Sequence, residues 1–112
     1  MERDLSLARV QHLYAYHVWR VGQLCAVLTP LDVEALAAPV PGSFPTLGRL
    51  VGHLIGAEQV WQQRISRARQ GLAPTAIAMP DQPTQNATAL VAAWQQTTAA
   101  WAPLLEGLSP AA

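Results

Sequence analysis

Whatever acid–base, thiol or metal chemistry these 112 residues can do rests on His12, His17, His53, Glu58 and Cys25. His12 and His17 are five apart, about 140° around a helix, so they cannot both face one ion. No two of the three histidines have the four-residue spacing that puts a pair of imidazoles on one helix face. His17 interrupts an otherwise apolar stripe, and an unpaired polar group in such a place is costly. A metal, a water or Glu58 would each relieve that cost. A satisfied core histidine is the favoured reading and a metal role the speculative one. His53, on its own residue context, reads as a buried or half-buried core histidine, and His12 lies off the stripe and reads as surface. Glu58 could accept an imidazole N–H and so orient a metal-binding histidine. A solvated carboxylate, or one paired with an arginine a turn away, is the commoner arrangement and is expected here. Cys25 sits among Leu24, Ala26, Val27 and Leu28, so it reads as a packed, inert thiol rather than a reactive one. The four tryptophans fall at helical spacing and read as core and bundle-end packing rather than a ligand cage.

Three helices must position these groups. Val10, Leu13, His17, Val21, Leu24 and Leu28 recur at three and four and define the first, over about residues 3–29. Thr29-Pro30 ends or kinks it, because proline disfavours α geometry in the residue before it. The stretch from Pro39 to Pro45 holds three prolines and a glycine and reads as a loop. A second helix, over about 45–70, starts near Ser43 to Thr46, with Ser43 as a plausible N-cap and Pro45 tolerated in the first turn. Its stripe is read as Leu47, Leu50, Leu54, Ala57, Trp61 and Ile65. Arg64, Arg67 and Arg69 suit the negative end of its dipole, and Gly71 supplies a stop. Residues 72–83 contain Pro74, Pro80 and Pro83 and show no helical period. A connection of that length can cross a bundle end and let successive helices run parallel. The third helix, over about 84–107, carries Ala87, Leu90, Trp94, Thr98, Trp101, Leu105 and Leu108, with a kink or early end expected near Pro103. No segment alternates as a half-buried strand would. Three such stripes bury most simply against one another, in one all-α bundle domain over 1–112.

The apolar fraction is 51% and the charged fraction 12%, about half the usual roughly 25%. All seven basic residues are arginine and seven acids balance them. With zero net charge, nothing recruits nucleic acid or an anionic membrane. The start, Met1-Glu2-Arg3-Asp4, lacks the apolar core of a signal peptide, and the uncharged stretch from Gln82 to Leu105 is too polar to span a bilayer. One cysteine fits a reducing compartment, so a cytoplasmic protein is expected. Asn86-Ala87-Thr88 matches a glycosylation sequon that would have no use there.

The residues also resemble a family. Leu13-Tyr14-Ala15-Tyr16-His17-Val18-Trp19 is similar to the Tyr-Asn-x-Trp-type opening of DinB/YfiT-like proteins. Ser43-Phe44-Pro45-Thr46-Leu47, followed by Leu50-Val51-Gly52-His53-Leu54-Ile55-Gly56-Ala57-Glu58-Gln59-Val60-Trp61, resembles that family's loop-and-helix signature, in which a histidine precedes a glutamate and a tryptophan. The specific part of the likeness lies within about residues 13–64. It implies an up-down-down-up four-helix bundle with a long crossover after the second helix. It further implies a divalent metal, zinc or nickel among others, held by a histidine at the position of His53 and by a His-x-x-x-His pair on a closing helix. Relatives include thiol-dependent transferases and isomerases that use low-molecular-weight thiols, with a bound cation stabilising the thiolate. The family name implies nothing about contact with DNA.

The 112 residues contain no His-x-x-x-His pair, so the closing helix is expected to be missing and the metal site incomplete. On that basis two functions compete. One is a metal-binding relative of the thiol transferases whose remaining ligands come from a partner chain or a longer protein, with His53 as ligand, His17 as a speculative second and Glu58 behind them. The other is a catalytically inactive bundle whose uncovered apolar groove makes it a homodimeric scaffold or binding module.

Overall fold

The computed structural model describes residues 2–42 and 44–106, with side chains from Ser6 onward. Its helices are α1 (Glu2–Leu28), α2 (Val33–Leu36), α3 (Leu47–Arg69) and α4 (Ala87–Glu106). The described residues contain no strand, and no described helix is long and apolar enough to cross a membrane.

Each boundary has a local cause. The single turn of α2, which sequence patterning does not reveal, is capped by Asp32, whose carboxylate accepts the Ala35 N–H at 2.8 Å. Its Leu36 is fully buried and anchors the turn in the core. Helix α3 is capped by Thr46, whose hydroxyl accepts the Arg49 N–H at 3.1 Å. Pro45 therefore precedes the helix instead of occupying its first turn, and Ser43, the expected cap, lies outside the described residues. Gly71 does end α3: with φ at +73° it lets its own N–H reach the Ala68 carbonyl and the Leu72 N–H reach that of Arg67, both helix-end carbonyls left without intrahelical donors. Asn86 opens α4 by accepting the Ala89 N–H at 2.9 Å, which gives the sequon asparagine a structural task. Pro103 does not stop α4 early, since the helix runs on to Glu106. The expected last stripe residue, Leu108, lies outside the described residues.

Hydrogen bonds between helices fix their directions. Gln59 meets Thr97 and, further along both helices, Arg69 meets the Leu104 carbonyl, so α3 and α4 run parallel. Tyr14 bonds the Thr98 carbonyl, while Val21 and Cys25 pack with Leu90, nearer the start of α4. Helix α1 therefore runs antiparallel to α4. Up-down-down is the order observed, and α4 packs against both other long helices.

The buried face of α3 corrects the stripe read from sequence. Gly48, Val51, Gly52, Ile55, Gly56 and Val60 are buried, whereas Leu54 and Trp61 are exposed. The reason is the connection after α3. Its residues 79–84 lie along the Gly48, Gly52 and Gly56 row, where a Cβ on Gly48 would collide with the Thr84 carbonyl and one on Gly56 would come within 2.5 Å of Met79 Sδ. Hydrophobicity scoring gives glycine no weight, so the row is invisible until the crossover lies on it. Two tryptophans also depart from expectation: Trp19 and Trp61 are each 56% exposed.

Candidate functional site

Trp94 and Trp101 are seven residues apart, two turns of α4, and share a face. An indole N–H is a donor only, so a buried tryptophan needs an acceptor. Glu58 of α3 supplies it to both. Trp94 Nε1 donates to Oε2 at 2.8 Å and Trp101 Nε1 donates to Oε1, also at 2.8 Å. From α1, His17 Nε2 lies 2.7 Å from Oε1. One carboxylate, its side chain 16% exposed, thus ties together all three long helices. Charged hydrogen bonds of this kind contribute roughly 1.5–3 kcal/mol each. The favoured sequence reading of Glu58, as solvated or arginine-paired, is overturned: three N–H donors from two helices reach it first. It does accept from an imidazole, but that of His17.

Around this centre most polar groups are paired, the buried Thr98 hydroxyl being an exception. Gln59 Nε2 donates to Thr97 Oγ1 at 3.0 Å and Gln59 Oε1 accepts from Gln82 Nε2 at 2.8 Å, while Gln62 Nε2 donates to the Thr97 carbonyl at 2.7 Å. Tyr14 donates to the Thr98 carbonyl at 3.1 Å. Beside Glu58 is an open cleft of about 290 Å³, lined by Val10, Leu13, Tyr14, His17, Trp101 and Leu105 together with Glu58 itself.

His53 is elsewhere. It is exposed, not a core residue, and its ring leans on Phe44 with centroids 5.0 Å apart. It lines a second cleft, of about 510 Å³, together with Arg49, Asp81 and Gln82. His17 and Glu58 do not line that cleft, so the structure does not assemble His53, His17 and Glu58 into one site. Among the described residues no three His, Cys, Asp or Glu side chains come together to hold an ion. The donors around His53 therefore do not by themselves fit a three-histidine metal centre.

The remaining candidates fall into place. His12 is exposed, as read from sequence. Cys25 is buried, and desolvation raises its thiol pKa above the ordinary value of 9.0, which makes it a poor nucleophile near neutrality. The arginines at the end of α3 do not make a free basic patch. Arg67 and Arg69 donate to the carbonyls of Ala73 and Leu104, and Arg64 lies 4.8 Å over the Trp61 ring.

The molecule is thus an all-α bundle with a parallel crossover and a carboxylate-centred polar seam. A family profile described as the DinB superfamily matches residues 17–112, and the chain belongs to that superfamily. No curated protein and no solved structure matches it significantly.

Proposed function

We propose that this chain is a cytoplasmic, divalent-metal-binding member of the superfamily, related to the thiol-dependent transferases, that supplies one wall of a metal site rather than the whole of it. His53 is the donor. Partner donors come from a second polypeptide or a continuation of this one, and zinc and nickel suit an imidazole about equally. The observation that supports this reading is the state of His53, an exposed imidazole beside an open cleft with no hydrogen-bond partner among the described residues. His17, by contrast, is already engaged by Glu58. Elemental analysis of mass-verified protein beside His53→Ala tests it. About one zinc or nickel per chain or per dimer, lost in the variant, is the expected result, and a low-molecular-weight thiol would then be the co-substrate to assay. Metal-free protein at every oligomeric state sinks the reading.

A second reading, a catalytically inactive homodimeric scaffold, is favoured by a different observation. Trp19 on α1 and Leu54 and Trp61 on α3 are exposed, and the accessible surface is 7572 Å², against about 6,000 Å² for a compact 12.0 kDa monomer. Zero net charge leaves no overall repulsion between copies. Sedimentation velocity over a concentration series tests this: dimerisation that Trp61→Glu abolishes, in protein without metal, supports it, and a monomer throughout refutes it.

A further inference from the structure

The cleft over Glu58 is not explained by a metal site at His53, and its chemistry is specific. A carboxylate accepts hydrogen bonds, and Glu58 already accepts two indole N–H groups. The imidazole partner at 2.7 Å therefore presents Nε2–H to it. In the neutral tautomer this leaves a lone pair on Nδ1 of His17, which has no partner among the described residues. The side chain is 39% exposed and lines the cleft. A carboxylate behind an imidazole orients the ring and strengthens the far nitrogen as an acceptor. The other donors lining the cleft are already used, the Tyr14 hydroxyl on the Thr98 carbonyl and the Trp101 indole on Glu58. The walls, Val10, Leu13 and Leu105, are aliphatic, and the space of about 290 Å³ exceeds the roughly 150 Å³ that accommodates benzene.

We propose that this cleft binds a small apolar molecule ending in one neutral O–H donor, a phenol being the simplest, with His17 Nδ1 accepting that hydrogen bond. An anionic ligand is disfavoured by the Glu58 carboxylate directly behind the ring. A cationic one would have to compete with three N–H groups for the same two oxygens.

The test uses a matched pair of probes, p-cresol and toluene, which differ by the hydroxyl alone. Calorimetric titration of the full chain is expected to show p-cresol binding about tenfold tighter, the size of one net hydrogen bond. His17→Phe should erase that preference while toluene still binds, and Leu13→Trp, which fills the cleft, should abolish both. Should His17→Phe fail to fold, the ¹⁵N resonance of His17 Nδ1 in the unmodified protein still decides, because a donated hydrogen bond moves it and toluene does not. Equal affinity for the two probes, no binding of either, or an unmoved Nδ1 resonance with p-cresol bound would each overturn the proposal.

Discussion

Two histidines on neighbouring helices have opposite fates in this bundle. His17 points into the seam where α1, α3 and α4 meet and hydrogen-bonds Glu58. His53 sits on the outward side of α3 and touches only the Phe44 ring among aromatic neighbours. Five residues along α3 separate His53 from Glu58, about 140° of rotation, and that angle alone puts them on different faces. A polar group inside the seam must be satisfied by the fold, whereas one outside it is held by solvent and is free for a partner.

Four measurements would break or sharpen this contrast. The largest effect is expected from Glu58→Ala, which strands two indole N–H groups, that of Trp94 in the core and that of Trp101 half-buried beside it. Unfolding free energy should fall by about 2–4 kcal/mol, with Glu58→Gln falling less because the amide keeps one acceptor. An effect under about 0.5 kcal/mol in chemical denaturation would show that the seam does not depend on its carboxylate. Next is Gly48→Ala. Its new methyl group would meet the Thr84 backbone carbonyl, and overpacking against backbone costs roughly 1–3 kcal/mol. A neutral result would mean the crossover does not lie on the glycine row.

Cys25 gives a pH-dependent check on the same buried side. Its folded-state pKa is raised by desolvation, so the folded protein holds the thiol proton more tightly than the unfolded chain does. That contribution is fully present at neutral pH and declines as pH rises above about 9.0, where the unfolded thiol ionises. Native protein at pH 8 should react with a disulfide reagent only after denaturant is added, and rapid labelling of the folded state would contradict the burial. The smallest effect belongs to the outward side. His53→Ala should change stability by no more than about 0.5 kcal/mol, as surface substitutions do, and a large loss in a metal-free thermal melt would show His53 to be structural.

How much of this was legible beforehand differs from element to element. The α4 stripe of Ala87, Leu90, Trp94 and Thr98 is buried as its spacing implies, because a helix that packs on both sides keeps its periodicity clean. The length of the connection between α3 and α4 allowed a parallel course, and the hydrogen bonds between the two helices are what fix it. The α3 stripe was displaced, since glycines contribute nothing to a hydrophobic pattern yet form the surface on which residues 79–84 rest. For the centre itself, the usable signal was two tryptophans at a seven-residue spacing, both needing an acceptor, and Glu58 in the helix that follows the first loop. Which of several acids would meet them depends on the rotation of α3, and that is a packing outcome.

The sequence by itself determined the three long helices, the stop at Gly71, the inertness of Cys25 and membership of the superfamily, because these depend on local backbone chemistry and on residue order. Only the tertiary structure decided that His17 and not His53 meets Glu58, and that Trp19 and Trp61 face outward. Those outcomes depend on how far each helix is rotated about its axis when it packs, and that rotation is set by the whole set of contacts at once.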